Sequence, residues 1–163
     1  CQNIVSTFMY QPPKLPALDR LLQRTRSRGG MKLAPADRKG VSLLLKALQR
    51  GEMVGVLPDQ VPNDEGGVFA NFFGKQALTM TLVSKLVARS QARVFCGFVV
   101  RLPKSGGFKL TIREADQSIY DEDLITSVAG LNKSVENCGL MAVEQYQWEY
   151  KRFRRQSDGK KFY

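Results

Sequence analysis

The stretch Gly55–Lys75, GVLPDQVPNDEGGVFANFFGK, decides how this chain is read. A hydrophobic run leads straight into Pro58-Asp59-Gln60 and then into a segment rich in glycine. Met53 to Leu57 (MVGVL) is apolar throughout and predicts a strand. From Ala77 to Arg89, Leu78, Leu82 and Leu86, widened by Met80, Val83 and Val87, predict a buried helix. About nineteen residues separate the two, long for such a connection, and that length points to a functional loop. Val94 to Val100 (VFCGFVV) reads as a strand covered on both faces. Strand, helix and strand over about fifty residues predict a βαβ unit with parallel strands and a right-handed crossover. In such sheets ligands bind beyond the carboxyl ends of the strands, where loops lead to free helix N–H groups, and Asp59 and Gln60 stand at such an end. The plainer alternative is that the glycines serve a long loop and Phe72 and Phe73 close the core.

Working outward, Ile4 to Tyr10 predicts a strand ended by Gln11-Pro12-Pro13. Leu18, Leu21 and Leu22, among Arg20, Arg24, Arg26 and Arg28, predict an amphipathic helix stopped at Gly29-Gly30. Asp37 is placed to cap a helix carrying Val41, Leu44, Leu45 and Leu48, closed by Gly51. Beyond the opening stretch, Phe108, Leu110 and Ile112 alternate with polar residues, predicting an edge strand that returns antiparallel through Pro103 to Gly107. Leu124, Val128, Leu131, Val135 and Cys138 predict a helix capped by Asp121 and broken at Gly139. Leu140, Val143, Tyr146, Tyr150 and Phe153 suggest a second helical stripe, and the basic tail over 150–163 is expected to be frayed and solvated. The fold class predicted is α/β: a mostly parallel central sheet flanked by helices, with a C-terminal helical segment, in one domain over 1–163.

The 163 residues are 43% hydrophobic, enough for one sizeable core. A net charge of +10 favours an anionic partner: nucleic acid, a phosphorylated ligand or an acidic membrane surface. Three dispersed cysteines signal neither a disulfide framework nor a metal site. The chain contains no histidine, which removes Ser-His-Asp and Cys-His nucleophiles within these residues. No run approaches the roughly 20 apolar residues of a spanning helix. Gly74-Lys75 resembles the end of a P-loop, but the preceding glycine is too distant and Gln76 stands where Ser or Thr binds magnesium. Basic residues mixed with Tyr150 and Phe153 would suit single-stranded nucleic acid, although packing aromatics beside solvated charges are the plainer reading. Nucleic acid is therefore the weakest of the anionic partners.

TFMYQPPKLPALDRLL, RSRGGMKLAP, LLKALQRGEMVGVLPDQ, GVFANFFGKQALT and EQYQWEYKRFRR together resemble the bacterial late acyltransferases of lipid A biosynthesis, within the wider glycerolipid acyltransferase superfamily. The resemblance implies transfer of a fatty acyl chain from acyl carrier protein to a hydroxyl of a phosphorylated lipid A precursor, at the cytoplasmic face of the inner membrane. Carrier protein, precursor and membrane surface are all anionic, which suits the charge. The resemblance implies no cofactor or metal. The family's chemistry uses a His followed five residues later by Asp or Glu, as base and orienting carboxylate. Neither is in this chain, whose first residue is Cys1, so it is expected to be an N-terminally truncated part and inactive alone. The alternative is a non-catalytic domain that binds anionic lipid or carrier protein. By resemblance, Arg28 grips a substrate phosphate, Pro58, Asp59 and Gln60 form a substrate-binding block, and Phe73 and Gly74 accompany it. Glu149-Tyr150-Lys151 departs from the family pattern, so the resemblance assigns no catalytic residue there.

Overall fold

The computed structural model describes residues 5–11, 13, 19, 25, 30–160, 162 and 163. The helix expected around Leu18 to Leu22 lies outside them, as does Arg28. The chain is mixed α/β and divides into two compact units, Cys1–Leu57 and Pro58–Tyr163.

In the first unit, strands β1 (Ser6–Tyr10), β2 (Lys32–Pro35) and β3 (Met53–Gly55) form a parallel sheet in the order β2-β1-β3. Helix α1 (Arg38–Gln49) carries the chain from β2 over the sheet to β3. Its start follows from Asp37, whose carboxylate accepts from the Gly40 N–H at 2.8 Å. Its end follows from Gly51, at φ 74°, a conformation that glycine adopts without steric cost. Leu44 and Ala47 of α1 and Ala34 of β2 have no exposed surface. A parallel crossover is therefore present, but it joins β2 to β3, one element earlier than the sequence suggested.

The second unit opens with an antiparallel hairpin, β4 (Gly67–Phe72) and β5 (Lys75–Met80), in which Phe72 opposes Lys75. Phe73 and Gly74 make its two-residue turn at φ 48° and 76°, the left-handed pair that matches the twist of the flanking strands. This hairpin occupies most of the expected loop and the first turn of the expected helix. Helix α2 begins only at Leu82 and ends at Ser90. In Ala77 to Val83 the apolar Leu78, Met80 and Leu82 alternate with Thr79 and Thr81, a pattern that fits a strand as well as a helix, and the turn chemistry of Phe73-Gly74 decides for strand.

The predicted parallel pairing of Met53 to Leu57 with Val94 to Val100 is overturned. Among the described residues β3 pairs with β1, and β6 (Phe95–Arg101) pairs with β7 (Phe108–Glu114), antiparallel as expected for β7. The mostly parallel central sheet is thus replaced by one small parallel sheet and two hairpins. Nor is β6 covered on both faces: Cys96, Phe98 and Val100 are half-buried, whereas Phe95 and Val99 share an exposed face with Phe108, Leu110 and Ile112.

Helix α3 (Leu124–Leu140) packs on β4, β5, β6 and α2. Its cap is Asp123, which accepts from both the backbone N–H and the hydroxyl of Thr126 at 2.8 Å. Asp121 instead accepts from the Asp123 N–H. The helix ends at Leu140, one residue past Gly139, which makes room for the Tyr146 ring that a Cβ there would meet at 3.3 Å. The second helical stripe is also absent. After α3 the chain makes one short 3-10 turn, Val143–Gln145, and then a series of turns.

The core of this unit joins Ala115, Ile119 and Leu131 to Met80, Val83, Val94 and Cys96. Ser127 ties α3 to α2 through the Ser84 hydroxyl at 2.8 Å, and donates to the Ile119 carbonyl at 2.7 Å. Gly130 allows this close approach, since a Cβ there would lie 2.6 Å from the Ile119 nitrogen and 2.8 Å from the Ser118 carbonyl carbon. Backbone atoms cannot step aside as a side chain can. Gly130→Ala is therefore expected to lower stability by about 1–2 kcal/mol, the overpacking cost exceeding the helix-propensity gain. Thermal denaturation should show a melting point several degrees lower.

Candidate functional site

Pro58, Asp59 and Gln60 begin the second unit as a turn. The turn is fixed from the far end of the chain, because the Val61 N–H donates to the Tyr150 hydroxyl at 2.9 Å. Asp59, half-buried, lines a cleft with Phe72, Tyr146, Gln147, Trp148, Tyr150, Arg152, Phe153 and Tyr163. Its carboxylate makes no hydrogen bond or ion pair among the described residues.

Arg152 is only 4% exposed, although the sequence placed it in a solvated tail. One terminal nitrogen donates to the Leu78 carbonyl at 2.6 Å, and the other to the Thr79 hydroxyl at 2.8 Å and the Asn132 side-chain oxygen at 3.4 Å. The guanidinium lies 5.2 Å from the centre of the Phe72 ring. Asn132 completes the network by donating to the Asn71 carbonyl and the Thr79 hydroxyl, each at 2.9 Å. A buried cation thus ties both strands of the hairpin, α3 and the C-terminal segment together. Its Nε–H has no partner among the described residues. Burial pulls the Arg152 guanidinium below its ordinary value, opposed by Tyr146, Tyr150 and Asp59. Burial, and then the Asp59 charge, push the Tyr146 phenol up.

Phe73 reaches this cleft indirectly. Its ring packs on Trp148 at 5.4 Å and on Phe72 at 4.8 Å. Its N–H donates to the Glu136 carboxylate at 2.6 Å. These contacts hold a bulky residue at positive φ, where the backbone costs about 1–2 kcal/mol. Gly74 sits exposed at the tip of the turn and Gln60 is exposed; neither lines the cleft. Of the predicted site residues, then, Asp59 lines the cleft, Phe73 supports it through Trp148, and Pro58 and Gln60 flank Asp59.

Tyr146, Trp148, Tyr150 and Arg152 were not expected to line a site. They come together because 146–153 is a series of turns, which the helical period read from the sequence does not describe. Among the described residues no group of three or more His, Cys, Asp or Glu could hold a metal ion, and no helix is long and apolar enough to cross a membrane.

Outside the cleft, the Cys96 thiol is pushed up from 9.0 to about 11, mainly by burial and further by Cys138. A higher pKa means less thiolate, the reacting form, so alkylation at pH 8 is expected to run about 100-fold slower than at an ordinary cysteine. Time-resolved iodoacetamide labelling read by peptide mass would check this.

Residues 2–155 match the bacterial lipid A biosynthesis acyltransferase family. The chain is 32% identical over 152 residues to a lipid A biosynthesis lauroyltransferase of Escherichia coli (strain K12), covering 93% of this chain and 49% of that protein. It is 31% identical over 162 residues to a lipid A biosynthesis acyltransferase of Haemophilus influenzae, covering 99% and 50%. A lipid A biosynthesis palmitoleoyltransferase of Escherichia coli (strain K12) is 29% identical over 157 residues, covering 94% and 49%. The chain thus spans about half the length of these relatives. With a match over nearly all of its residues, the chain belongs to the bacterial lipid A biosynthesis acyltransferase family.

Proposed function

We propose that this chain is the substrate-holding part of an acyltransferase that moves a fatty acyl chain from acyl carrier protein to a hydroxyl of a phosphorylated lipid A precursor. The observation that carries this reading is the family match over residues 2–155. The relatives' names specify lauroyl and palmitoleoyl transfer, so a fatty acyl group is the cargo to expect here. Arg28 grips a phosphate of the acceptor, and Asp59, flanked by Pro58 and Gln60, orients a polar group of the substrate. Phe73 and Gly74 shape the turn that supports the cleft. The reaction takes place at the cytoplasmic face of the bacterial inner membrane, on a larger α/β domain of the glycerolipid acyltransferase kind. The net charge of +10 suits the anionic carrier protein, precursor and membrane surface.

The base that deprotonates the acceptor hydroxyl is a histidine in this chemistry, and these residues contain none. The chain alone therefore holds substrate without transferring it. The test is incubation with labelled acyl carrier protein thioester and lipid A precursor. The 163-residue chain should give no transfer, and a protein of the relatives' full length containing this sequence should give it. Turnover by the chain alone would refute the division of labour, and none by the longer protein would refute the activity. Saturable binding of carrier protein by an inactive longer protein would favour a non-catalytic binding domain.

A further inference from the structure

The β6–β7 hairpin turns one broad apolar face outward. Alternate residues of a strand share a side of the sheet, and the register sets Gly97 opposite Ile112, Val99 opposite Leu110 and Arg101 opposite Phe108. With Phe95, the large apolar residues of this face are between 52% and 65% exposed. Its two ends are polar. Arg93 lies over the Phe95 ring and pairs with Glu114, and Arg101 lies 5.0 Å from the centre of the Phe108 ring. An apolar centre with a polar rim is the build of a protein interface. Gly97, itself exposed, stands in the middle of it, in a strand interior where glycine is destabilising. Its φ is not in the left-handed region, and a Cβ there would come no closer than 3.5 Å to the Thr111 carbonyl oxygen and 3.6 Å to the Ile112 side chain, ordinary contact distances. Nothing among the described residues therefore requires glycine at this position. A strand glycine without a local reason marks a place where another segment approaches closely. A bilayer is fluid and accommodates alanine as well as glycine, and the Glu114 carboxylate on the rim is repelled by anionic headgroups.

We infer that this face is the seat of an amphipathic helix from the part of the full-length protein that lies outside these 163 residues, its apolar stripe crossing both strands over Gly97. The chain covers 49% and 50% of two of its relatives, so as much polypeptide again is at hand to supply it. The dimensions agree: a helix about 10 Å across covers two strands about 4.8 Å apart, and a sheet with one apolar face is ordinarily closed by a helix laid on it. This inference rests on the proposed function only in taking the chain as part of a longer protein.

Two variants test it, each made in the 163-residue chain and in a protein of the relatives' full length containing this sequence. Leu110→Cys puts a thiol on the open face, and its alkylation by iodoacetamide is followed by peptide mass, with and without detergent. Labelling is expected to be at least tenfold slower in the longer protein. Gly97→Ala is expected to raise the melting point of the 163-residue chain by about 1–3 °C, the ordinary gain of replacing a strand glycine, and to lower that of the longer protein by about 2–5 °C, where the new methyl meets the helix. Equal labelling of the two proteins without detergent would overturn the proposal. Detergent slowing the chain to the rate of the longer protein, with Gly97→Ala leaving the melting point of the longer protein unchanged, would make the face a lipid contact and overturn it as well. A labelling rate in the chain that falls as its concentration rises would make the face a contact between copies, again against the proposal. So would a lower melting point for Gly97→Ala in the chain alone, because the glycine would then serve this unit. None of these readings requires transfer. A longer protein that is inactive but shows the opposite melting shifts would keep this inference and lose the proposed function, and an active one without them would do the reverse.

Discussion

Arg152→Ala is expected to destabilise the chain by about 3–5 kcal/mol, read as the unfolding free energy from urea titration. Two short charge-assisted bonds disappear, to the Leu78 carbonyl and the Thr79 hydroxyl, each worth about 1.5–3 kcal/mol. The contact with the Phe72 ring adds roughly 1 kcal/mol. Opposing this, the truncated protein no longer keeps a cation out of water without an ion-pair partner in contact. That penalty is already part of the stability of the native protein, and recovering it is the only gain. The losses win because they leave the Leu78 carbonyl, Thr79 and Asn132 short of a donor in a site that water cannot fill freely. Arg152→Lys should fall between the two, since an ammonium retains the charge but cannot reach three acceptors as the planar fork does. A change below about 1 kcal/mol for Arg152→Ala would mean that desolvation cancels the network.

That residue also shows where the sequence stopped being legible. Helix α1 could be read end to end, because a capping aspartate, a 3.6-residue period and a closing glycine all act within one segment. The β6–β7 hairpin was legible for the same reason. Arg152 was not, because its burial depends on partners 20 and 73–74 residues away in the chain, and a run of Lys and Arg gives no local sign of which one turns inward. The hairpin β4–β5 was hidden differently. Its turn places phenylalanine where Asn or Asp is usual, and Leu78, Leu82 and Leu86 share a spacing of four that a helix also fits. Recognising Phe73-Gly74 as a left-handed pair would have needed the contacts that hold Phe73 there, the Glu136 carboxylate and the Trp148 ring. Asp59 stands out in the sequence as the carboxylate that follows an apolar run and a proline. Its aromatic surroundings do not, because they come from the opposite end of the unit.

The isolation of Asp59 makes the second expected result separable from stability. In a protein of the relatives' full length carrying this sequence, Asp59→Ala is expected to lower kcat/KM for acyl transfer about 100-fold, the worth of one lost charge-assisted hydrogen bond to substrate. Its effect on folding should stay within about 1 kcal/mol, because no hydrogen bond or ion pair among the described residues depends on the carboxylate. The remaining term is its interaction with the Arg152 cation, which is longer than an ion pair and screened by the open side of the cleft. Asp59→Asn keeps an acceptor but not the charge, and should retain more activity than alanine. Steady-state kinetics and thermal melts on the same preparations would check all three proteins. If activity and melting point fell together, and asparagine restored both, Asp59 would be holding its own turn instead of the substrate. A hundredfold loss at an unchanged melting point would mean that a polar carboxylate is kept in an aromatic cleft for the ligand it binds.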